Sequence, residues 1–264
     1  MSTRPPATEE QAQEPPEPQE KPGSGRYMTI LDHLQELRYR LLVSGAAVVV
    51  AMGVSFYFAK RILDFLLEPA HQRSAEFEAI FTEPMEGTIA YFRIALMMGI
   101  AFAMPIIIYE ILMFVTPALT RQEKRWVYFV VFAATFAFVA GVAFAYYVAL
   151  PPALGFLLNF PQDFAKPQIK IGSYVDFVTR LLLWTGVVFE TPLVIMGLAR
   201  LGIVNSRQLL GFWRYAIVLA FVLAAIVTPS IDPVTQSLVA GPIIVLYGLG
   251  IVLAFIVQPR SKGA

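Results

Sequence analysis

The chain is organised around the stretch His33-Leu34-Gln35-Glu36-Leu37-Arg38, which lies just before the first long hydrophobic run, Leu41 to Phe58. Apolar residues recur here at helical spacing, while Asp32, Glu36 and Arg40 share another face. This pattern predicts an amphipathic helix at the water boundary that continues into a membrane span. The simpler interpretation is a surface helix whose Glu36–Arg40 pair contributes about 0.2–0.5 kcal/mol.

The composition is typical of a polytopic membrane protein. Of the 264 residues, 57% are hydrophobic and only 15% are charged, whereas about a quarter of an average soluble domain is charged. The absence of cysteine excludes a disulfide framework and thiolate chemistry. With two histidines and a net charge of +1, the sequence also gives no sign of a metal centre or a nucleic-acid partner. We therefore expect no metal centre and no cofactor.

The N-terminal segment differs from the rest of the chain. Residues 1–25 alternate proline with glutamate and contain almost nothing apolar to bury, so we predict a disordered tail. Its acidic character does not fit a secretory signal peptide. The predicted organisation is a tail (1–25), a membrane domain (26–257) and a short second tail (258–264).

Six apolar segments have lengths near the roughly 20 residues that cross a bilayer core. They run approximately over Leu41–Phe58, Gly87–Tyr109, Trp126–Leu150, Leu181–Ala199, Tyr215–Val227 and Leu238–Val257. The pair Pro151-Pro152 should end the third segment, and the fifth is short. The sequence therefore predicts an all-α bundle of six transmembrane helices.

Charges in the loops predict the orientation. The N-terminal segment, the second and fourth loops and the tail together carry 13 Lys and Arg, against 6 in the other loops, leaving out Arg93 within a span. Because positive loops stay inside, both termini should be cytoplasmic. We expect Arg93 to reach outward to the interface.

Two outer loops are long enough to form structured caps. They span approximately Ala59–Glu86 and Pro151–Arg180. Ser173 and Asp176 have the spacing of a capping box and predict a helix start before the fourth span. At the last outer turn, Asp232 followed by Pro233 is typical of an N-cap and first helical residue.

Four motifs in order carry a family resemblance. They are His33-Leu34-Gln35-Glu36-Leu37-Arg38, Phe114-Val-Thr-Pro117-Ala-Leu-Thr-Arg-Gln-Glu123-Lys-Arg125, Phe189-Glu190-Thr-Pro192 and Thr228-Pro-Ser-Ile-Asp232-Pro233-Val-Thr-Gln236. Each motif alone carries little weight. Together, around six predicted spans, they make the stretch from about Thr29 to Val257 resemble the TatC family of twin-arginine (Sec-independent) translocase subunits.

The resemblance implies a non-enzymatic receptor with a concave bundle in a bacterial-type cell membrane. Such proteins bind twin-arginine signal peptides of folded substrates at the cytoplasmic face. They assemble in multiple copies with single-span TatA- and TatB-like partners, and export draws on the proton-motive force. No nucleic acid is implied.

Carboxylates are suitable partners for a twin-arginine motif. Each guanidinium is always charged and presents N–H donors that can bind both oxygens of one carboxylate. Glu36 and Glu123 stand at the matching positions. The resemblance places Arg38 and Arg125 beside them, where they would orient the glutamates, while Phe114 and Pro117 would shape the loop. Other interpretations remain open. Glu123 forms a capping box with Thr120, and the arginines serve topology equally well.

Glu190 lies in the middle of an apolar segment, where a charged side chain costs about 2.5–3.5 kcal/mol. One interpretation is a neutral, internally paired carboxyl. The other is a polar notch on a partly hydrated face, where a partner helix or signal peptide docks. Gln236 resembles the family's polar docking position near the outer end of the last span. Gln236, Asp232 and Pro69 are either partner-contacting residues or ordinary loop and cap residues.

Two other classes of protein, transporters and intramembrane enzymes, make different predictions for the same residues. A small-solute transporter would explain broken helices and an intramembrane carboxylate. It predicts related polar notches in both halves, but Glu190 has no counterpart in the first three spans except the off-centre Arg93. An intramembrane enzyme needs a nucleophile–base pair or metal ligands at depth, and the sequence offers neither.

Overall fold

The computed structural model describes residues 30–73, 79–115, 121–159, 169–228 and 233–258, with the side chains of residues 30, 73, 121–126, 158 and 159 left out. A π-helical turn, Ala145–Ala149, separates α3 from α4. The helices are α1 Ile30–Arg73, α2 Glu86–Val115, α3 Arg121–Phe144, α4 Leu150–Asn159, α5 Ile171–Phe189, α6 Thr191–Arg200, α7 Ser206–Gly211, α8 Trp213–Val227 and α9 Pro233–Val257; the strands are β1 Ala79–Ile80 and β2 Ile169–Lys170.

The prediction of a nearly all-helical membrane protein is confirmed. Within the described residues, five helical segments are long and apolar enough to cross a membrane. A further apolar helix, α8, has only 15 residues, which agrees with the predicted short fifth segment. The five are Leu31–Gln72, Glu86–Val115, Val127–Leu157, Ile171–Arg200 and Pro233–Val257.

Helices α1 and α2 pack side by side in opposite directions. Arg40 in the early turns of α1 contacts Glu110 near the end of α2, and Met52 lies against Gly99 farther along the pair. A Cβ on Gly99 would lie 2.8 Å from the backbone nitrogen of Met52. Glycine is therefore required at this crossing because the two backbones approach so closely.

The α1–α2 contact gives a stability prediction. Gly99→Ala should lower the free energy of unfolding by about 1–3 kcal/mol, because the added methyl group overpacks the crossing. Gly53→Ala is the matched control, since nothing lies within 4 Å of a Cβ at Gly53 on α1. Thermal unfolding in detergent measures both. Equal melting temperatures for the two variants would contradict the described packing.

Two predicted helix ends are wrong. The first helix does not stop near Phe58 but continues to Arg73. The third segment does not stop at Pro151-Pro152, because helical structure continues to Asn159. In both places the surrounding structure accommodates the prolines that would otherwise break a helix.

Pro69 lies buried inside α1. Proline lacks an N–H, so the carbonyl of Phe65 four residues earlier loses its helical donor. The hydroxyl of Tyr146 donates to that carbonyl at 2.8 Å. The hydroxyl of Tyr174 donates to the next carbonyl, that of Leu66, at 2.6 Å. Two tyrosines from other helices thus stabilise the last turns of α1 where the backbone alone cannot.

The π-helical turn accommodates the second proline pair. The backbone N–H of Leu150 donates to the carbonyl of Ala145, five residues earlier. This wider turn resets the helical register immediately before Pro151 and Pro152, which then occupy the first turn of α4, where missing N–H groups cost little.

The end of the bundle that holds β1, β2, α4 and the last turns of α1 is called the cap end below. Its two strands pair in parallel, Ala79 with Ile169 and Ile80 with Lys170. This pairing is the one departure from all-α structure in the described part of the chain, and it joins the two long loops that we expected to be structured.

The predicted capping box of Ser173 and Asp176 is wrong. Helix α5 begins earlier, at Ile171, and Lys170 at its N-cap makes no side-chain capping bond. The carboxylate of Glu86 instead accepts the backbone N–H of Gly172 at 2.8 Å and that of Thr82 at 2.8 Å. A residue of α2 therefore satisfies the first turn of α5, a long-range contact that local spacing could not reveal.

Asp176 and Arg93 form an ion pair rather than separate surface charges. The guanidinium of Arg93 lies 3.0 Å from Asp176 and donates to the carbonyl of Gly172 at 3.3 Å. Arg180 also contacts Asp176 at 3.0 Å. Arg93 thus joins α2 to α5 at the cap end, whereas we expected it only to extend to the interface.

The largest buried cluster lies toward the cap end. It joins side chains of α1, α2, the π-helical turn, α4, α5, α8 and α9, including Leu66, Ile94, Leu150, Leu154 and Val178. At the opposite end the apolar side chains of α1 are mostly exposed, whereas Met104 and Ile108 of α2 are buried in a second, smaller cluster with Ala134 and Phe138 of α3. The opposite end of α1 therefore stays accessible.

Candidate functional site

A partly buried charge cluster lies at the end of the α1–α2 pair opposite the cap end. Arg40 Nε donates to Glu36 Oε1 at 3.0 Å, one helical turn away. Its Nη1 donates to Glu110 Oε2 of α2 at 2.9 Å. The three side chains are only 17%, 18% and 12% exposed for Arg40, Glu36 and Glu110. We call these three residues the Glu36 cluster.

The Glu36 cluster has unused capacity for a cation. Two carboxylates share one guanidinium, so the cluster carries a formal charge of −1. Glu36 Oε2 is buried and has no hydrogen-bond partner within the described residues. Because a buried unpaired carboxylate oxygen is costly, it favours a further N–H donor. A second guanidinium would supply both the donor and the missing positive charge.

An aromatic contact holds the helix ends around this cluster. The rings of His33 on α1 and Phe114 on α2 stack with centroids 4.4 Å apart and planes 18° apart. Because His33 precedes Glu36 by three residues, the two lie on neighbouring positions of one helix face. The stack therefore holds the end of α2 against the first turns of α1, near Glu36, and a role of Phe114 in peptide binding stays a prediction.

The structure describes the other predicted recognition residues less completely. Arg38 is exposed and forms no ion pair among the described residues. Glu123 and Arg125 lie in the first turns of α3, but their side chains are outside the described set. Pro117 lies outside the described residues altogether. Joint binding of the two arginines by Glu36 and Glu123 therefore stays a prediction.

Sequence reasoning missed Glu110. We placed the end of the second span at Tyr109 and treated what followed as a loop, whereas α2 runs on to Val115. The signal was present, because Glu110 is a lone carboxylate with apolar residues on both sides. As with Glu190, such a residue needs a partner, and here Arg40 provides it.

Glu190 lies at a break between α5 and α6. It ends α5, precedes α6, and its side chain makes no capping bond to either helix. Glu190 Oε1 is buried without a hydrogen-bond partner among the described residues. Pro192 lies in the first turn of α6 and has no N–H, so the helical hydrogen bonding is incomplete at this break.

An apolar cavity of about 200 Å³ lies beside this break, between α5, α8 and α9. Val188, Phe189 and Thr191 line it, together with Trp184 and Pro242, but Glu190 does not. The polar notch that we predicted around Glu190 is therefore separate from this cavity, and its hydration stays a prediction.

The remaining predicted partner residues are dispersed. Gln236 donates from Nε2 to the backbone carbonyl of Phe221 at 3.0 Å, which joins α9 to α8. Pro69 is buried within α1 at the cap end. Asp232 lies outside the described residues, although α9 begins at Pro233 as predicted. The structure gives Gln236 and Pro69 structural roles and leaves partner contact as a prediction.

Comparisons with known proteins place the chain in one family. Residues 32–242 match the family model described as Sec-independent protein translocase protein (TatC). A protein of that name from Aquifex aeolicus is 37% identical over 237 residues, which cover 89% of this chain and 98% of the relative. A chloroplastic protein from Arabidopsis thaliana is 40% identical over 220 residues, 83% of this chain and 64% of that protein.

A solved structure agrees with this placement. The crystal structure of a twin arginine translocase receptor, TatC, superposes with a TM-score of 0.78 at 37% identity, covering 85% of this chain and 99% of that one. Sequence and fold therefore agree along most of both chains. The chain belongs to the TatC family of Sec-independent protein translocase proteins, which are multi-pass translocase components rather than enzymes.

Proposed function

We propose that the chain is the receptor subunit that binds twin-arginine signal peptides of folded proteins, and that the Glu36 cluster is the binding site. The observation that carries this proposal is the buried Oε2 of Glu36, which has no hydrogen-bond partner among the described residues, in a cluster of formal charge −1. An arginine of the peptide would donate to this oxygen, and its charge would balance the cluster.

A second arginine needs a second carboxylate. We assign that role to Glu123, because only five residues separate the start of α3 from the end of α2, where Glu110 and Phe114 lie. Arg38 and Arg125 would orient the two glutamates. Phe114 and Pro117 would hold the connection between α2 and α3 in place.

The membrane arrangement follows from the loop charges. We propose six spans with both termini in the cytoplasm of a bacterial-type cell, α8 serving as the short fifth span. Residues 26–257 form the translocase domain, and residues 1–25 and 258–264 are cytoplasmic tails. The cap end then faces outward, and the Glu36 cluster faces the cytoplasm, where substrates arrive.

We further propose that TatA- and TatB-like helices assemble with several copies of this chain and that the proton-motive force drives export. Glu190 and Gln236 are the proposed contacts for those helices, near the middle and the end of their spans. The support for Glu190 is its buried, unpartnered oxygen. Asp232 and Pro69 would contribute to the shape of the outward face.

The topology can be tested with single cysteines, since the chain has none of its own. Cysteines at Ser74 and Gln162 should react with a membrane-impermeant thiol reagent added outside the cell. Cysteines at Arg207 and Ser261 should react only after the membrane is permeabilised. Arg207 is chosen over its neighbour Ser206 because Ser206 is buried. Outside labelling at Arg207 would contradict the orientation.

The receptor function can be tested by peptide binding to the purified chain. A twin-arginine signal peptide should bind at least about tenfold more tightly than the same peptide with twin lysine, because lysine cannot bind a carboxylate through two donors at once. A peptide with a shuffled apolar segment controls for non-specific membrane binding. Equal affinities for the two peptides would rule out recognition by paired carboxylates.

A further inference from the structure

An open cavity of about 560 Å³ lies at the cap end, where the last turns of α1 meet the π-helical turn. Three aromatic rings, Phe65, Tyr146 and Tyr147, form part of its wall, and Glu68 and Gln72 contribute polar groups. This cavity is distant in sequence from the Glu36 cluster on α1, and none of the proposed recognition residues lines it. It therefore calls for a separate explanation.

The aromatic rings are arranged in two orientations. Phe65 and Tyr146 stack with centroids 4.3 Å apart and planes 10° apart. Tyr147 stands at 87° to Tyr146, with centroids 4.9 Å apart. Tyr147 is 70% exposed and Phe65 51%, so both rings are open to a ligand. Aromatic walls set at right angles are typical of sites that bind alkylammonium groups through cation–π attraction.

The polar wall supplies the matching charge. Glu68 is exposed and accepts one hydrogen bond, from Gln72 Nε2 at 3.1 Å. Among the described residues, no Lys, Arg or His forms an ion pair with it. A carboxylate without a counter-charge beside aromatic rings favours a cation that is partly apolar, such as an alkylammonium group.

Helix length places the cavity near the expected depth of lipid headgroups. Tyr146 and Tyr147 follow Val127, the first residue of an apolar segment long enough to cross a membrane, by 19 and 20 residues. At 1.5 Å per residue this is about 28–30 Å, the thickness of the hydrocarbon core. Tyrosines at this depth are typical of membrane interfaces. Lipid headgroups are therefore the ammonium groups that are most abundant at the cavity.

A basic residue lies on the same face of α1, closer to the membrane centre. Arg61 precedes Phe65 by four residues and Glu68 by seven, which places all three on one helix face. Arg61 is exposed and lies toward the apolar run that ends at Phe58. In a zwitterionic phospholipid the phosphate likewise lies deeper than the ammonium group. Arg61 therefore lies at the level of the phosphate, and Glu68 lies at the level of the ammonium group.

We propose that this cavity binds the headgroup of a zwitterionic aminophospholipid, with its ammonium between Phe65, Tyr147 and Glu68. Arg61 does not line the cavity but lies one helical turn before Phe65 on the same face, where it would bind the phosphate. The bound lipid would cover the junction of α1 with the π-helical turn and stabilise the cap end. The proposal requires a membrane-embedded chain but does not depend on signal-peptide recognition.

Native mass spectrometry tests the proposal directly. The purified chain is equilibrated in detergent with equal amounts of dioleoyl phosphatidylethanolamine and dioleoyl phosphatidylglycerol, and the retained lipids are counted. Wild type should retain the ethanolamine lipid in excess. Glu68→Gln should reduce that excess about tenfold, the effect of losing one charged hydrogen bond. Arg61→Gln should weaken retention of both lipids because both carry the phosphate.

Matched variants separate this site from general lipid binding. Tyr147→Leu should reduce the excess and Tyr147→Phe should keep it, because only the leucine removes the aromatic face. Glu83→Gln, an exposed carboxylate elsewhere at the cap end, should behave as wild type. Size-exclusion profiles confirm that each variant is folded.

Three results would overturn the proposal. The first is an equal retention of the two lipids by wild type, and the second is an unchanged excess in Glu68→Gln. The third is displacement of the lipid excess by millimolar free ethanolamine, which would assign the cavity to a soluble amine instead.

Discussion

Replacing Glu190 by leucine should abolish export while leaving signal-peptide binding intact. Glu190 lies at the break between α5 and α6, where its Oε1 is buried without a hydrogen-bond partner among the described residues. Such a carboxyl persists within an apolar span only if polar groups contact it at some stage of the functional cycle. We propose that a partner helix supplies that contact after substrate binds.

The Glu190→Gln variant separates polarity from charge. Glutamine keeps the shape and the ability to form hydrogen bonds, so it should retain export, whereas Glu190→Leu should reduce export to less than about a tenth of wild type. Val194→Leu, on the exposed face of the next turn of α6, is the apolar control. Export assays and peptide binding are measured in the same membranes. Normal export by Glu190→Leu would show that the carboxyl is incidental.

Replacing Glu36 by alanine should weaken signal-peptide binding by about 1–3 kcal/mol, the free energy of a charged hydrogen bond. The substitution removes the unpartnered oxygen but leaves Arg40 paired with Glu110 at 2.9 Å. The chain should therefore still insert and fold. Glu123→Ala should have an effect of the same size, since we assign it the second arginine.

Two further variants make the Glu36 prediction specific. Glu110→Gln removes a carboxylate that is already occupied by Arg40, so it should weaken binding less than Glu36→Ala does. Asp64→Asn, an exposed carboxylate far along α1, should leave binding unchanged. Unchanged binding in the double variant of Glu36 and Glu123 would mean that other residues recognise the peptide.

The sequence predicted what depends on local composition and spacing. Long apolar runs required helices of membrane length, and five were found together with the short α8. Pro192 follows Glu190 by two residues, and its missing N–H acts within one helical turn, where the structure has the break between α5 and α6. Pro233 likewise begins α9 as expected. At these positions no contact with a distant residue changes the predicted local structure.

Predictions failed where a distant residue supplies the missing bond. Helix α1 did not end after the apolar run but continues through Pro69, where Tyr146 and Tyr174 donate to the adjacent carbonyls. Ser173 did not cap α5 because Glu86 of α2 does so. Each partner lies more than 70 residues away in the chain, and spacing rules do not reach that far.

The candidate site also combines features that local sequence predicts with features that depend on the packing of distant residues. Glu36 could be proposed from its place in an amphipathic stretch, and its pairing with Arg40 follows from a separation of four residues. The role of Glu110 depends on the antiparallel packing of α1 and α2, which no local pattern encodes. The low exposure of the cluster, and with it the unpartnered oxygen of Glu36, also arises only from that packing.

A double-mutant cycle between the chain and its peptide tests the central claim most directly. Binding is measured for wild type and Glu36→Gln, each with a twin-arginine peptide and with a peptide carrying one lysine in the arginine pair. If an arginine binds Glu36, the two substitutions should be coupled by at least about 1 kcal/mol for one of the two arginine positions. Additive effects at both positions would contradict direct contact between Glu36 and the twin-arginine motif.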